Sequence, residues 1–206
     1  MAGIILAGGK GKRLGGAEKA LRKLGGKSLL ERVLVRIQPL FSQLILVTNT
    51  PELYSSFPGK VVRDLHAHRG PLGGIEAGLL ATEDQMNFVT ACDMPFLNRE
   101  LICQMQAWGQ GYDIVIPRLG SYIEPLHAFY SRRTLPLIQE LLRTGNYKLS
   151  NLLTAPLKVY YINEEQIREL DPQGLTFLNI NTPVDLAKAA KIIAKETNSN
   201  GTYQYS

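Results

Sequence analysis

The sequence predicts an α/β fold, a three-layer Rossmann-like sandwich with a mostly parallel central sheet and a mixed C-terminal extension. Short β-rich runs alternate with longer stretches of helical periodicity, the pattern of βαβ units whose helices cover both faces of a parallel sheet. The chain has 206 residues, 45% of them hydrophobic, which is enough to bury one core and short for two. Residues 1–195 are therefore expected to form a single domain.

The elements follow in order. Gly3 to Ala7 reads as a buried strand, Ser28 to Leu40 as an amphipathic helix, Gln43 to Thr48 as a second strand and Val61 to Arg63 as a third. Gly73 to Thr82 is expected to be helical, Asn87 to Ala91 a fourth strand, Asn98 to Trp108 a helix and Asp113 to Pro117 a fifth strand. Beyond Pro117 the rhythm changes. Ile123 to Tyr130 reads as a strand, Arg132 to Arg143 as a helix, Leu157 to Ile162 as a strand and Thr182 to about Lys195 as a closing helix. Residues 196–206 are polar and aperiodic and are expected to be a frayed tail.

Composition narrows the function classes. No apolar run approaches the roughly 20 residues that cross a bilayer, so no membrane association is expected. The first strand begins within three residues of Met1 and leaves no room for an export signal. Cys92 and Cys103 form no CxxC pair or Cys/His array, which points to a reducing cytoplasm and away from zinc. The net charge is +5, but outside Lys10, Lys12 and Arg13 the basic residues are dispersed. That distribution suits small anionic ligands better than a nucleic-acid track.

The richest segment is Leu6-Ala7-Gly8-Gly9-Lys10-Gly11-Lys12-Arg13-Leu14-Gly15-Gly16-Ala17-Glu18-Lys19, directly after the first strand. Five glycines between positions 8 and 16 let backbone N–H groups approach an anion, and three cations add charge where phosphates would lie. Two familiar phosphate loops fail to match. A dinucleotide fingerprint begun at Gly9 finds Gly11 in place but Leu14 where its third glycine belongs. Gly26-Lys27-Ser28 could end a Walker A loop, but the required first glycine is Leu21. Lys27 is then a turn residue and Ser28 the N-cap of the next helix.

Asp64 follows Val61-Val62-Arg63, and Asp93 follows Phe88-Val89-Thr90-Ala91, so both stand at carboxyl ends of expected parallel strands. That is the edge that presents the glycine-rich loop and the usual place for ligands in open α/β sheets. Met94-Pro95 after Asp93 favours a sharp exit from the strand. His66 and His68 could share one strand face as a metal pair, but no third ligand is evident and a structural or surface role is expected. Cys92 has no base beside it in sequence and reads as a buried strand residue. Thr182 is placed as the N-cap before Pro183.

The remaining pattern, Leu-Ala-Gly-Gly-x-x-x-Arg-Leu-Gly with Lys19 beyond it, resembles the signature loop of sugar-phosphate and cofactor nucleotidyltransferases. Within that superfamily the chain is most similar to the molybdenum cofactor guanylyltransferases of the MobA type. Gly70-Pro71-Leu72-Gly73-Gly74-Ile75, Cys92-Asp93-Met94-Pro95, Pro125-Leu126-His127-Ala128 and Asn179-Ile180-Asn181-Thr182-Pro183 resemble family motifs in the family's order. Leu14 stands where the family often has Met, and Glu18 where it commonly has Asp.

The resemblance implies nucleotide contacts from Leu6, Ala7, Gly8, Lys19, Asp64 and Asp93, with Arg13 beside the phosphates and Arg13, Lys19 and Asp93 as the catalytic set. It implies Mg²⁺ held by Asp93, consistent with an ion that takes one or two carboxylates and completes its shell with phosphate and water. Asp64 is left open between base, ribose and metal. Asn49 and the Asn179–Pro183 run are implied to lie at the pocket without assigned roles. The implied reaction moves GMP from GTP to the terminal phosphate of molybdopterin and releases pyrophosphate. The implied partners are these two small molecules, with transient contact to cofactor-synthesis or acceptor proteins and none to nucleic acid. The nearest rivals are a CTP-dependent cytidylyl relative acting on the same pterin and enzymes acting on other small phosphates. A noncatalytic nucleotide-binding regulator is the alternative of a different class, and retention of both Lys19 and Asp93 argues against it.

Overall fold

The computed structural model describes residues 1–8, 18–66 and 70–200. The N-terminal half builds β1 (Ala2–Leu6), a short hairpin of β2 (Lys23–Leu24) and β3 (Lys27–Ser28), α1 (Leu29–Ile37), β4 (Gln43–Thr48), β5 (Lys60–Arg63), α2 (Pro71–Leu80) and β6 (Met86–Ala91). The C-terminal half adds α3 (Arg99–Trp108), β7 (Ile114–Leu119), β8 (Tyr122–Ile123), β9 (His127–Ser131), α4 (Leu135–Arg143), β10 (Val159–Ile162), α5 (Glu164–Leu170) and α6 (Pro183–Asn200).

The sheet runs β10-β7-β9-β6-β1-β4-β5, with β8 paired to β7 at one side. β1, β4, β5 and β6 are mutually parallel, as are β7 and β10, while β9 runs antiparallel to both of its neighbours. The expected parallel core and mixed extension are both present. Strand alternation assigns the two faces: Ile5 and Phe88 pack toward α1, α3 and α5, whereas Ile4 and Val89 pack toward α2 and α4. Each such large apolar side chain, once buried, contributes on the order of 1.5–3 kcal/mol. Phe41 stacks on Phe88 with ring centroids 5.6 Å apart, closing one layer over the sheet.

Local chemistry explains most helix ends. Ser28 accepts from the Glu31 N–H at 3.2 Å while the Glu31 carboxylate returns a bond to the Ser28 N–H, a complete capping box. Asn98 caps α3 through the Leu101 N–H at 3.0 Å. Thr182 accepts from the Asp185 N–H at 3.2 Å and the Asp185 carboxylate accepts from the Thr182 N–H at 2.8 Å, so the expected cap opens α6. α2 differs because residues 72–79 are all buried. A Cβ on Gly78 would lie 2.5 Å from Ile4 Cγ2, so this glycine lets the helix settle directly on β1.

Three expectations need correction. Ile123 to Tyr130 is not one strand. The Glu124 carboxylate accepts from the Leu126 N–H at 3.2 Å and the Glu124 carbonyl from the His127 N–H at 3.3 Å, folding residues 124–126 into a turn between β8 and β9. The closing helix continues to Asn200, beyond the expected end at Lys195, and positions 201–206 of the expected tail lie outside the described residues. α5 was not anticipated. Its capping box, Asn163 with Gln166, was the available signal, but its seven residues are too few for a periodicity to register.

Candidate active site

The carboxyl ends of β1, β4, β5 and β6 open onto one cleft of about 530 Å³. β1 delivers Leu6 and Gly8, β4 delivers Asn49, β5 delivers Asp64, and β6 delivers Cys92 and Asp93. Lys19 enters from the short helical turn Lys19–Leu21, and the far wall is built by Tyr122, Glu124–Leu126, Asn179 and Asn181. Parallel strands bring Leu6, Asn49, Asp64, Cys92 and Asp93 to the same edge because β1, β4, β5 and β6 all point the same way.

The floor is ionic. The Lys19 ammonium donates to Asp93 Oδ2 and to Asn181 Oδ1, the latter at 2.6 Å, and the side chains of Lys19 and Asp93 are each only 12% exposed. The Ile180 N–H donates to the Asp93 carbonyl at 2.9 Å, which ties the Asn179–Asn181 segment to the end of β6. Among the described residues Asp93 Oδ1 is buried without a hydrogen-bond partner. A carboxylate oxygen in that condition is costly unless a cation or donor meets it. The geometry therefore fits a cation that takes one protein carboxylate and draws its other ligands from phosphate and water, as Mg²⁺ does. Among the described residues no group of three or more His, Cys, Asp or Glu is placed to hold a metal by itself.

On the β5 side, Asp64 Oδ1 accepts from the His66 N–H at 2.8 Å, and the Asp64 N–H donates to the Thr48 carbonyl at 3.3 Å. The buried Glu76 carboxylate of α2 faces His66 Nε2 at 3.1 Å, and a Cβ on Gly73 would come within 2.9 Å of both Asp64 Oδ1 and His66 Cβ. His66 thus braces the Asp64 segment on α2, while its proposed metal partner His68 lies outside the described residues. Cys92 is buried, and burial pushes its thiol well above its ordinary range, so it is an inert wall residue as expected.

Leu6, Gly8, Lys19, Asp64 and Asp93 accordingly meet around one cavity. Ala7 does not line it. Its side chain is packed in the core, its N–H donates to the Val47 carbonyl at 2.8 Å, and its carbonyl accepts from Thr48 Oγ1 at 3.4 Å. Both backbone polar groups of Ala7 are already engaged. Arg13 lies outside the described residues.

The residues that sequence reasoning missed are Tyr122 and Glu124. Tyr122 Oη donates to Glu124 Oε2 at 2.9 Å, and Glu124 is buried at the cleft wall. Burial raises the Glu124 carboxyl above its usual range, opposed by hydrogen bonds from Tyr122, Leu126 and Asn179. The available signal was a lone acid inside an otherwise apolar run, immediately before Pro125-Leu126-His127-Ala128.

Known proteins resemble this chain in sequence and fold. Residues 3–159 match the model of the MobA-like NTP transferase domain. A protein of Pelotomaculum thermopropionicum named probable molybdenum cofactor guanylyltransferase is 38% identical over 187 residues, covering 91% of this chain and 90% of that one. A molybdenum cofactor guanylyltransferase of Desulfosudis oleivorans is 37% identical over 192 residues, covering 93% of this chain and 95% of the relative. The crystal structure of molybdopterin-guanine dinucleotide biosynthesis protein A from Archaeoglobus fulgidus superposes with a TM-score of 0.83 at 33% identity, covering 95% of this chain and all of that one. The glycine-rich loop after β1, the cleft at the parallel strand ends and these likenesses place the chain in the MobA-like NTP transferase family.

Proposed function

We propose that this chain transfers GMP from GTP to the terminal phosphate of molybdopterin, releasing pyrophosphate. The observation that carries the reading is Lys19, whose ammonium is fixed by Asp93 and Asn181 on the cleft floor, beside Asp93 Oδ1, which no donor meets among the described residues. A nucleoside triphosphate laid across that floor meets a positioned cation and a carboxylate ready for a metal. The names of the relatives supply the choice of nucleotide and acceptor.

The reaction needs alignment more than proton transfer. A phosphate oxygen of the acceptor attacks the α-phosphorus of GTP in line, and the bond from that phosphorus to the oxygen bridging it to the β-phosphate breaks. The acceptor oxygen is already anionic, so no general base is required. Lys19 neutralises phosphate charge as it develops, and Arg13 is assigned the same task from the loop. Asp93 would hold Mg²⁺ through Oδ1, and that ion when bound supplies further positive charge at the phosphates. Leu6 and Gly8 shape the nucleotide side, and Asp64, braced by the His66 N–H, stands at its β5 edge.

Pyrophosphate release measured with each of the four nucleoside triphosphates, with and without molybdopterin, tests the reading. GTP should be the productive substrate, and with Mg²⁺ present it should raise the unfolding temperature more than CTP or ATP does. Equal or greater turnover and protection with CTP would move the chain to the cytidylyl branch. Stabilisation by GTP without transfer would leave a nucleotide-binding regulator.

A further inference from the structure

The proposed nucleotide contacts occupy the β1, β4, β5 and β6 side of the cleft, and the wall across β6, toward β9, is left without a role. That wall holds Glu124, a carboxylate inside a cleft that must accept polyanions. A fixed negative charge there repels phosphate, so it is out of place unless it meets the part of a ligand that carries N–H donors.

Glu124 is built as a paired acceptor. Tyr122 Oη donates to Oε2 at 2.9 Å and the Leu126 N–H donates to Oε1 at 3.2 Å, which fixes the plane of the carboxylate. Asn179 donates a third bond to the carboxylate, and a ligand with two N–H donors would take the lone pair left open and replace Asn179 at the other. Two parallel acceptors match two adjacent N–H donors, and a pterin presents such a pair on the 2-amino and N3 positions of its pyrimidine ring. We propose that Glu124, oriented by Tyr122 and the Leu126 N–H, recognises the 2-amino-4-oxo edge of the acceptor pterin and sets the acceptor end of the cleft.

The inference rests on reading the cleft as a site of GTP-to-molybdopterin transfer. Guanine carries a similar edge, but the proposed nucleotide residues Leu6, Gly8 and Asp64 stand at the ends of β1 and β5, on the far side of β6 from β9 and the Glu124 turn. With a pair of N–H donors bound, the carboxylate remains an acceptor despite the burial that favours its neutral form.

The test uses 6-hydroxymethylpterin phosphate, whose fluorescence reports binding directly, and its lumazine counterpart, in which a 2-oxo group replaces the 2-amino group. The native protein should bind the pterin about 10- to 100-fold more tightly, as expected when a charged acceptor loses its donor. Glu124→Gln should abolish most of that preference while leaving GTP affinity and the unfolding temperature close to native. Glu124→Asp, which retains the carboxylate, should keep part of it. In turnover, Glu124→Gln should raise the KM for molybdopterin far more than it lowers kcat. Equal binding of the two probes by the native protein, or no binding of either, overturns the assignment, as does a folded Glu124→Gln that retains the preference. A variant that loses GTP affinity but keeps the pterin preference would assign Glu124 to guanine. Failure of the native protein to release pyrophosphate from GTP would overturn the transfer reading instead, and the direct binding comparison distinguishes the two results.

Discussion

Lys19 and Asp93, 74 residues apart in sequence, form an ion pair at the base of the cleft, and Asn181 accepts a second bond from the same ammonium at 2.6 Å. The lysine is thereby held with its charge toward the space above β1 and β6. Asp93 is left with one oxygen paired and the other without a partner among the described residues.

Lys19→Ala should weaken GTP binding and turnover together, each by about 10- to 100-fold, because the ammonium meets phosphate in both the ground and the transition state. It should also tighten Mg²⁺ binding in the absence of nucleotide, since Asp93 loses the cation that now competes for it. Isothermal titration with GTP and with Mg²⁺, beside steady-state kinetics, reads both effects. Native kinetics in a folded variant would remove Lys19 from the site.

Asp93→Asn should keep the fold and much of the GTP affinity yet lose on the order of 100-fold or more in transfer rate. The change is nearly isosteric, so it leaves no cavity. Its effect falls on the electrostatics of the phosphates. Unfolding, GTP affinity and pyrophosphate release followed across a Mg²⁺ titration check this. Full turnover at every Mg²⁺ concentration excludes Asp93 as the metal carboxylate, and global unfolding would make its role structural.

Gly73→Ala and Gly78→Ala should separate binding from stability on one helix. At Gly73 the new methyl would stand 2.9 Å from Asp64 Oδ1 and from His66 Cβ, so the Asp64 segment has to move. GTP affinity should fall about tenfold, because a small displacement of a positioning group has that order of effect. The fold should survive, helped by the better helix propensity of alanine. At Gly78 the methyl would lie 2.5 Å from Ile4 Cγ2 inside the core, and overpacking there should cost about 1–3 kcal/mol. Denaturant melts should therefore register mainly Gly78→Ala, and GTP titrations mainly Gly73→Ala. A Gly73→Ala protein that binds GTP as the native one does would show that the Asp64 segment has no part in nucleotide binding.

His127 should make the protein acid-sensitive. Its ring is buried between Phe88 and Phe177, neither nitrogen has a hydrogen-bond partner among the described residues, and burial depresses its pKa to about 3. In the unfolded chain it titrates near an ordinary histidine value of about 6.5. Between these values the unfolded state binds the proton and the folded state does not. Stability from this group is therefore complete above about pH 6.5 and falls by up to about 1.4 kcal/mol per pH unit as pH drops toward 3. His127→Leu removes two unsatisfied nitrogens and should match or exceed native stability at pH 7.5. Urea unfolding from pH 7.5 to 4 should show a shallower decline for the variant, and parallel curves would contradict the buried neutral ring.

The sequence by itself determined what depends on neighbours within a turn or two. Gly3 to Ala7 read as a buried strand and Asn87 to Ala91 as another from their runs of apolar residues alone. The caps at Ser28 and Thr182 were readable because a side chain and an N–H three positions away make the bond. The glycine-rich loop and the two strand-end aspartates were visible for the same reason: each is defined by the strand that precedes it. Contacts between distant segments were decided by the tertiary structure. Asn181 reaches Lys19 across 162 residues, and Glu76 faces His66 only because α2 packs beside the end of β5. The side chain of Ala7 packs in the core, a placement that its position in the loop motif did not show. Glu124 became a cleft residue when the chain turned between β8 and β9 instead of continuing as one strand. The physical reason is the sheet order β10-β7-β9-β6-β1-β4-β5. Periodicity reports which face of its own element a residue occupies, whereas strand order and turns choose which distant residue it meets.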